Sequence, residues 1–189
     1  MKVSGGRLKG RKLFCQKDKT LRPTSQLVKK AIFDALGGRV VGKRVLDLFS
    51  GTGALGIEAA SAGAQKVCFV EGNPRTLTVL KRNLKTMNLE GCCCYLSGLV
   101  ERVLPKITGE SFDLVLADPP YEMSSARIEE ILRLMLRNKL LTREAIVVLE
   151  HSRHQRLENV PGYKVWKRKQ YGETVVTFFQ PFSEGGEKQ

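Results

Sequence analysis

The stretch Val45-Leu46-Asp47-Leu48-Phe49-Ser50-Gly51-Thr52-Gly53 decides the fold of this chain of 189 residues. Its apolar first half predicts a buried strand. Its second half predicts a tight turn into a helix that begins near Ala54, and glycine in such a turn lets a ligand approach the backbone. A strand, a glycine turn and a helix in this order are typical of nucleotide-binding α/β folds.

Short apolar runs alternate with helical segments along the rest of the chain. The predicted strands cover residues 44–49, 66–71, 92–97, 112–117 and 145–150, and the predicted helices lie near residues 54–62, 74–88, 98–106 and 125–138. This alternation predicts a doubly wound parallel sheet with right-handed crossovers. Asn73 before Pro74 supports the second crossover helix, because Asn caps helices and Pro suits the first helical position.

Two further strand segments, residues 163–171 and 174–179, flank a Gly-Glu turn near the end of the chain. They predict an antiparallel hairpin, which together with the five parallel strands completes a seven-stranded Rossmann-like α/β sheet. We therefore predict three parts. They are a basic N-terminal hairpin or arm over residues 1–24, a catalytic domain over residues 25–182 and a flexible tail over residues 183–189.

The positive charge of the chain is concentrated at its start. Residues 1–44 contain 13 Lys or Arg side chains against two acids, Asp18 and Asp34, whereas the whole chain has a formal net charge of +13. A basic segment interrupted by glycines can follow a phosphate backbone, which favours a nucleic acid as the partner. The alternative is a solvated arm without a partner.

The composition restricts the protein to a few classes. No apolar stretch approaches membrane length, and the N-terminus lacks the apolar segment of a signal peptide, so we expect a cytoplasmic protein. The five cysteines, three of them adjacent at positions 92–94, fit neither a disulfide framework nor metal-ligand spacing. We expect no metal site and no membrane partner.

The glycine turn permits two cofactor classes. Gly51, Gly53 and Gly56 match the G-x-G-x-x-G pattern, and Glu71 follows about 20 residues later, as the ribose-binding acid of a dinucleotide site does. Asp47 argues against a dinucleotide, because a carboxylate beside the turn repels a pyrophosphate. The same carboxylate can accept hydrogen bonds from the ammonium group of a methionine-derived cofactor. Asp47 could instead only cap the following helix.

The tetrapeptide Asp118-Pro119-Pro120-Tyr121 follows the fourth predicted strand. The prolines hold the preceding backbone in extended geometry. The Asp118 carboxylate and the Pro119 carbonyl can accept the two hydrogens of an exocyclic amine, and Tyr121 can stack on a flipped base. This pattern predicts a methyltransferase that acts on amino groups, whereas a surface turn is the alternative.

Four polar side chains fall at the ends of predicted parallel strands, and these are Asp47, Glu71, Ser97 and Asp118. Ligands of doubly wound folds bind beyond the carboxyl ends of the strands, so we expect these side chains to share one crevice. His151 ends the fifth strand, and we interpret it as a surface residue rather than a general base.

The chain resembles the RsmD-type methyltransferases, which modify the exocyclic N2 of a guanine in bacterial small-subunit ribosomal RNA. The segments that carry the resemblance are residues 5–10, Leu21-Arg22-Pro23-Thr24, residues 47–56, Asp118 to Tyr121 and Tyr171-Gly172-Glu173-Thr174. The resemblance implies S-adenosylmethionine as the cofactor and ribosomal RNA, in an assembling small subunit, as the substrate. Methylation of adenine N6 or cytosine N4 in DNA or RNA remains an alternative, as does a binding protein that has lost catalysis.

The resemblance and the patterns together assign the site residues. The cofactor site is expected to comprise Asp47, Ser50, Gly51, Thr52, Gly53, Glu71, Asn73, Ser97 and Gly98. The catalytic residues are expected to be Asp118, Pro119, Pro120 and Tyr121, and the RNA contacts Arg7, Lys9, Arg11, Arg22 and Thr24. Many relatives place Asp or Asn where this chain has Ser97, whose hydroxyl can also accept a hydrogen bond from the adenine amine.

Overall fold

A computed structural model describes residues 1–15, 24–157 and 159–182 of the chain. In these residues one sheet has seven strands in the order β3-β2-β1-β4-β5-β7-β6. The strands are β1 (Arg44–Leu48), β2 (Lys66–Glu71), β3 (Cys93–Ser97), β4 (Phe112–Ala117), β5 (Leu141–Ser152), β6 (Tyr163–Tyr171) and β7 (Thr174–Pro181). The first five are parallel, and β7 runs antiparallel to both β5 and β6. The predicted seven-stranded sheet with a C-terminal hairpin is confirmed.

Helices cover both faces of this sheet. They are α1 (Thr24–Leu36), α2 (Ala54–Ser61), α3 (Pro74–Thr86), α4 (Val100–Val103) and α5 (Ser125–Arg137). The apolar sides of α1, α2 and α3 pack into one core layer, and those of α4 and α5 pack into the other. In α3 and α5 the buried apolar residues recur at the helical period, so burial against the sheet explains why these segments form helices.

Two elements differ from their predicted bounds. The predicted helix at residues 98–106 is a short α4 followed by a 3-10 turn at Leu104–Lys106. Pro105 lacks an N–H group, so it cannot extend the α-helical hydrogen-bond ladder. The fifth strand is longer than predicted and runs to Ser152, because its last residues pair with β7.

The N-terminal residues 1–15 pack on the domain. The Glu58 carboxylate of α2 accepts backbone hydrogen bonds from Ser4 at 2.8 Å and from Gly5 at 2.6 Å. Gly6 has a φ of +69°, and a Cβ at this position would lie 1.9 Å from the Ser61 carbonyl oxygen. The close approach of the two backbones therefore requires glycine. A single antiparallel bridge joins Lys2 to Lys12 in this segment.

The structure positions a site at one end of the sheet. Strand β1 pairs with β2 on one side and with β4 on the other, so the strand order reverses beside β1. The carboxyl ends of the five parallel strands lie together at this reversal. Within the described ranges, no helix is long and apolar enough to cross a membrane.

Candidate active site

An open cleft of about 1300 Å³ lies beyond the carboxyl ends of the parallel strands. The segments that follow β1, β2, β3 and β4, together with the end of β5, all contribute to its walls. Of the predicted site residues, the lining includes Ser50, Gly51, Thr52, Glu71, Asn73, Gly98, Asp118, Pro119, Pro120 and Tyr121. The structure thus brings the glycine turn and the Asp-Pro-Pro-Tyr tetrapeptide to one cavity.

The turn after β1 is held in a conformation that suits glycine. Gly51 and Gly53 have φ values of +55° and +86°. The Gly53 N–H donates to the Ser50 carbonyl at 2.8 Å, and the Gly53 carbonyl accepts from the Ile57 N–H at 2.9 Å. The turn therefore leads directly into α2, with Gly51 at the cleft wall and Gly53 beneath it.

Phe49 has an unusual backbone conformation immediately before this turn. Its φ is +57°, a value that bulky residues rarely adopt. Such a conformation costs about 1–3 kcal/mol and persists where the surrounding structure enforces it, typically at functional sites. Phe49 lines the cleft. No sequence signal indicated this residue, because the strain follows from the close packing of the turn.

Asp47 lies below the cleft rather than in its wall. Its side chain is 1% exposed, and its Oδ2 accepts a hydrogen bond from the Gly56 N–H at 2.8 Å. Burial raises the pKa of Asp47 to about 8, and the nearby Asp118 and Glu71 carboxylates add to this rise, while the Gly56 hydrogen bond opposes it. The carboxylate thus caps the first turn of α2.

Glu71 connects the ends of β1 and β2. Its Oε2 accepts a hydrogen bond from the Gly51 N–H at 2.7 Å, and its Oε1 accepts one from the Asn73 N–H at 2.6 Å. Asn73 in turn caps α3, since its Oδ1 accepts from the Arg75 N–H at 2.9 Å. Each carboxylate oxygen of Glu71 retains a second lone pair, which can accept a hydroxyl hydrogen from a ligand.

Two buried side-chain oxygens in the cleft lack hydrogen-bond partners. Over the residues that the structure describes, only Ser50 Oγ and Glu101 Oε2 are buried without a partner. Both residues line the cleft. The other carboxylate oxygen of Glu101 is paired with Arg127. Because buried polar atoms are normally hydrogen-bonded, these two oxygens are consistent with a polar ligand that completes the site.

Two hydrogen bonds involve the second half of the Asp118–Tyr121 segment. Pro119 is buried, whereas Asp118 and Tyr121 are exposed to the cleft side. The Tyr121 hydroxyl donates to the Glu173 carbonyl in the β6–β7 turn at 3.4 Å. The Met123 N–H donates to the Pro120 carbonyl at 2.9 Å, which closes the following turn. These contacts fix the segment against the C-terminal hairpin.

A family model described as "Conserved hypothetical protein 95" matches residues 1–180 of the chain. The chain belongs to this family, the RsmD-type methyltransferases. "Putative rRNA methyltransferase YlbH" of Bacillus subtilis is 35% identical over 185 residues, which cover 95% of this chain and 98% of the relative. Ribosomal RNA small subunit methyltransferase D of Escherichia coli is 28% identical, with 98% and 92% of the two chains covered.

Solved structures agree with this assignment. The "Putative methyltransferase yhhF" of Escherichia coli superimposes with a TM-score of 0.85 at 28% identity, covering 96% of this chain and 97% of that chain. The "putative methylase HI0767" of Haemophilus influenzae superimposes with a TM-score of 0.81 at 26% identity, covering 96% and 98%. The fold is therefore that of an RsmD-type methyltransferase over nearly the whole chain.

The expected adenine contact of the RsmD-type site differs in the structure. Ser97 is exposed at the end of β3 and is not among the residues that line the cleft, whereas Gly98 is. The Gly98 N–H donates to the Glu71 carbonyl at 3.0 Å, and Gly98 has a φ of +147°. Leu99, which is 49% exposed, follows in the cleft wall and offers an apolar surface.

The residues expected to contact RNA lie outside the cleft or outside the described ranges. Arg7, Lys9 and Arg11 are exposed on the N-terminal segment and do not line the cleft. Arg22 falls within residues 16–23, which lie outside the described residues. Thr24 begins α1, and its side chain lies outside the description.

His151 is buried, so the prediction of a surface residue is wrong. It is 4% exposed, because β5 extends past it and pairs His151 with Val175 of β7. Its Nδ1 is bonded to the Ser152 carbonyl and its Nε2 to the Thr177 hydroxyl, each at 2.9 Å. Both ring nitrogens are thus engaged within the fold. Over the described residues, no cluster of three or more His, Cys, Asp or Glu side chains could hold a metal ion.

Proposed function

We propose that the chain transfers a methyl group from S-adenosylmethionine to the exocyclic N2 amine of a guanine in small-subunit ribosomal RNA. The observation that carries this proposal is the shared cleft: the Gly51 turn and Glu71 line one part of it, and Asp118 to Tyr121 line another. A cofactor and an amine can therefore meet there. The relatives named as ribosomal RNA methyltransferases support RNA as the substrate class.

The polar groups of the cleft fit the cofactor. Glu71 is held at the end of β2 by two backbone N–H groups, and its remaining lone pairs suit the two hydroxyls of a ribose. Ser50 Oγ is buried and lacks a partner in the described structure, so a ligand group can bond to it. Leu99 offers an apolar wall for a purine. When bound, S-adenosylmethionine supplies an electrophilic methyl group on a sulfonium.

The Asp118–Tyr121 segment then orients the amine. The Asp118 carboxylate and the Pro119 carbonyl accept its two hydrogens, which directs the nitrogen lone pair toward the methyl donor. Positioning of this kind accounts for most of the rate gain in a methyl transfer between bound groups. Tyr121, which is 45% exposed, presents a ring face on which the guanine stacks.

No side-chain base is required in this scheme. Attack by the nitrogen would break the bond between the sulfonium and its methyl group, release S-adenosylhomocysteine and leave a cationic nitrogen. That cation is strongly acidic, so it loses one proton to water without a strong base. His151 could have served as one, yet both of its ring nitrogens bond to the Ser152 carbonyl and the Thr177 hydroxyl. Its role is therefore to join β5 to β7 rather than to move a proton.

The substrate RNA is expected in the cytoplasm, in a small subunit that is still assembling. A flipped guanine must come from an accessible loop or end, which a partly assembled particle can present. We propose that Arg7, Lys9, Arg11, Arg22 and Thr24 contact this RNA. The exposed positions of the first three residues support such contacts.

The test is methyl transfer from labelled S-adenosylmethionine to small subunits, total RNA and DNA from a strain that lacks the gene, followed by nucleoside analysis. We expect N2-methylguanosine in small-subunit RNA with the native chain and none with Asp118→Ala. Label in N6-methyladenine or N4-methylcytosine would show that the target base is adenine or cytosine rather than guanine. No label in any arm, with a working control enzyme, would overturn the proposal.

A further inference from the structure

Helix α3 carries a strongly basic exposed face. Its sequence from Pro74 to Thr86 contains Arg75, Lys81, Arg82 and Lys85 and no acidic residue. All four cations are exposed, whereas Leu77, Leu80 and Leu84 on the opposite side are buried. Helical spacing thus separates an apolar face, which packs on the sheet, from a cationic face that points to solvent.

The N-terminal segment extends this cationic surface. Residues 1–15 contain five exposed cations, Lys2, Arg7, Lys9, Arg11 and Lys12, and no acid. Arg11 Nη2 donates to the Thr86 carbonyl at the end of α3 at 2.7 Å. Asn83 accepts from the Phe14 N–H at 2.8 Å and donates to the Phe14 carbonyl at 3.0 Å. Residues 1–15 and α3 therefore form one surface, here called the basic face.

Among the described residues, no acidic side chain neutralises the charges of the basic face. In the described part of the chain, none of its nine Lys and Arg side chains forms a salt bridge with Asp or Glu. Helix α5 shows the opposite arrangement, since Arg133 pairs with Glu129 at 3.1 Å and Arg137 lies 3.8 Å from Glu130. Unpaired clustered cations raise the local positive potential and favour a polyanion.

Two exposed aromatic rings accompany these cations. Phe14 is 38% exposed, and the Arg82 guanidinium lies 3.7 Å from its ring centroid. Tyr95 on the edge strand β3 is 43% exposed, with Lys81 Nζ 4.5 Å from its centroid. Unpaired RNA bases stack on aromatic rings and on guanidinium planes, so the Phe14–Arg82 pair is a ready platform for one base.

The basic face reaches the mouth of the cleft. Asn73, Pro74 and Arg75 at the start of α3 line the cleft, and so does Met1. The 13 residues of α3 extend the face from this point over about 20 Å, at roughly 1.5 Å per residue. A chain of phosphates that leaves the cleft can therefore continue directly along α3.

We propose that α3, together with residues 1–15, is the RNA-docking face, on which the strand next to the target guanine lies with its phosphates on Lys81 and Lys85. An unpaired base of that strand stacks on the Phe14–Arg82 pair. This inference rests on the proposed function and extends it, because it assigns substrate binding to a helix rather than to the N-terminal segment alone.

The charge test compares two double variants of equal charge. Lys81→Gln with Lys85→Gln removes two cations of the basic face. Lys106→Gln with Lys164→Gln removes two exposed cations near the amino ends of β4 and β6, at the opposite end of the sheet from the cleft. Binding of a labelled RNA stem-loop with an unpaired loop is measured by fluorescence anisotropy over a salt series. We expect the first variant to bind several-fold more weakly, with a salt slope smaller by about 1–2, because each lost phosphate contact removes roughly 0.7–0.9.

The stacking test uses single substitutions of exposed aromatics. Phe14→Leu is expected to weaken binding of the same RNA about tenfold without a change in salt slope, as loss of base stacking does. The matched control is Phe182→Leu, a ring that is 44% exposed in the chain after β7. Equal weakening by both aromatic variants would overturn the stacking assignment.

The outcomes separate this inference from the proposed chemistry. Equal effects of the two double variants, an unchanged salt slope or tighter binding of a duplex DNA of matching sequence would each overturn the docking face. RNA binding is measured without methyl transfer, so the two proposals can fail separately. If the native chain transfers no methyl group but the Lys81→Gln, Lys85→Gln variant alone loses RNA affinity, the docking face is supported and the proposed activity is refuted. Calorimetry with S-adenosylhomocysteine is expected to give the same affinity for all variants, which shows that the fold and the cofactor site are intact.

Discussion

Glu71 Oε2 lies 2.7 Å from the Gly51 amide nitrogen and accepts its hydrogen bond, so the acid at the end of β2 positions the glycine turn after β1. The other carboxylate oxygen, Glu71 Oε1, accepts a hydrogen bond from the Asn73 N–H at the start of α3. Glu71 thus connects the glycine turn to α3. One carboxylate therefore holds together three segments that line the cleft: the turn after β1, the end of β2 and the start of α3. Glu71 therefore holds the turn, and in the proposed function it also offers lone pairs to a ribose.

Glu71→Ala should lower both the affinity for the cofactor and the stability of the folded chain. Two backbone N–H groups lose their acceptor, which we expect to lower the free energy of unfolding by about 1–2 kcal/mol. Loss of charge-assisted hydrogen bonds to the ribose should weaken S-adenosylhomocysteine binding by roughly tenfold or more. Calorimetry and urea unfolding measure the two effects. Glu90→Ala, at an exposed acid outside the cleft, should change neither, and an unaltered affinity in Glu71→Ala would contradict a ribose contact.

Asp118→Ala should separate catalysis from cofactor binding. Asp118 is placed to hold the amine rather than the sulfonium, so transfer should fall by at least about a hundredfold while cofactor affinity stays within a few-fold. Single-turnover methyl transfer and calorimetry with S-adenosylhomocysteine provide the comparison. A parallel loss of both quantities would instead place Asp118 against the cofactor.

The buried Asp47 predicts a pH-dependent stability. Its pKa rises from 3.8 to about 8 in the folded chain, so between these values the folded state holds a proton that the unfolded state has lost. The contribution of this group to stability is therefore present at low pH, declines as the pH rises through that window and is lost above about pH 8. The wild-type chain should become less stable over this range.

Asp47→Asn tests this assignment, because Asn keeps an acceptor for the Gly56 N–H but has no charge to bury. We expect the stability of the variant relative to wild type to increase as the pH rises from about 5 to about 8 and to level off above that. Thermal unfolding across the pH range is the measurement. A difference that is the same at every pH would show that the carboxylate is not the titrating group.

Sequence patterns located all seven strands, because burial in the sheet imposes apolar runs that are easy to recognise. The ends of β5 were missed, since that strand covers Leu141–Ser152 rather than residues 145–150. Local signals such as Asn73 before Pro74 were equally reliable, since a cap needs only its own neighbours. Features that depend on long-range packing were not predictable. The burial of Asp47 under α2 and the enclosure of His151 by β7 arise from contacts between separate segments. No sequence pattern indicated the left-handed conformation of Phe49.

Substitutions at Tyr121 separate base stacking from hydrogen bonding. The Tyr121 hydroxyl donates to the Glu173 carbonyl at 3.4 Å, a long bond at an exposed residue. In the proposed function, the Tyr121 ring stacks on the target base. Tyr121→Phe keeps the ring and should retain kcat/KM within about twofold, because a long exposed hydrogen bond contributes little net free energy. Tyr121→Ala removes the ring and should lower kcat/KM by roughly 5- to 150-fold, which corresponds to about 1–3 kcal/mol of stacking. Methyl-transfer kinetics on small subunits measure both variants. If Phe and Ala lowered kcat/KM equally, the hydroxyl rather than the stacked ring would be the essential part of Tyr121, because both variants lack the hydroxyl and Tyr121→Phe keeps the ring.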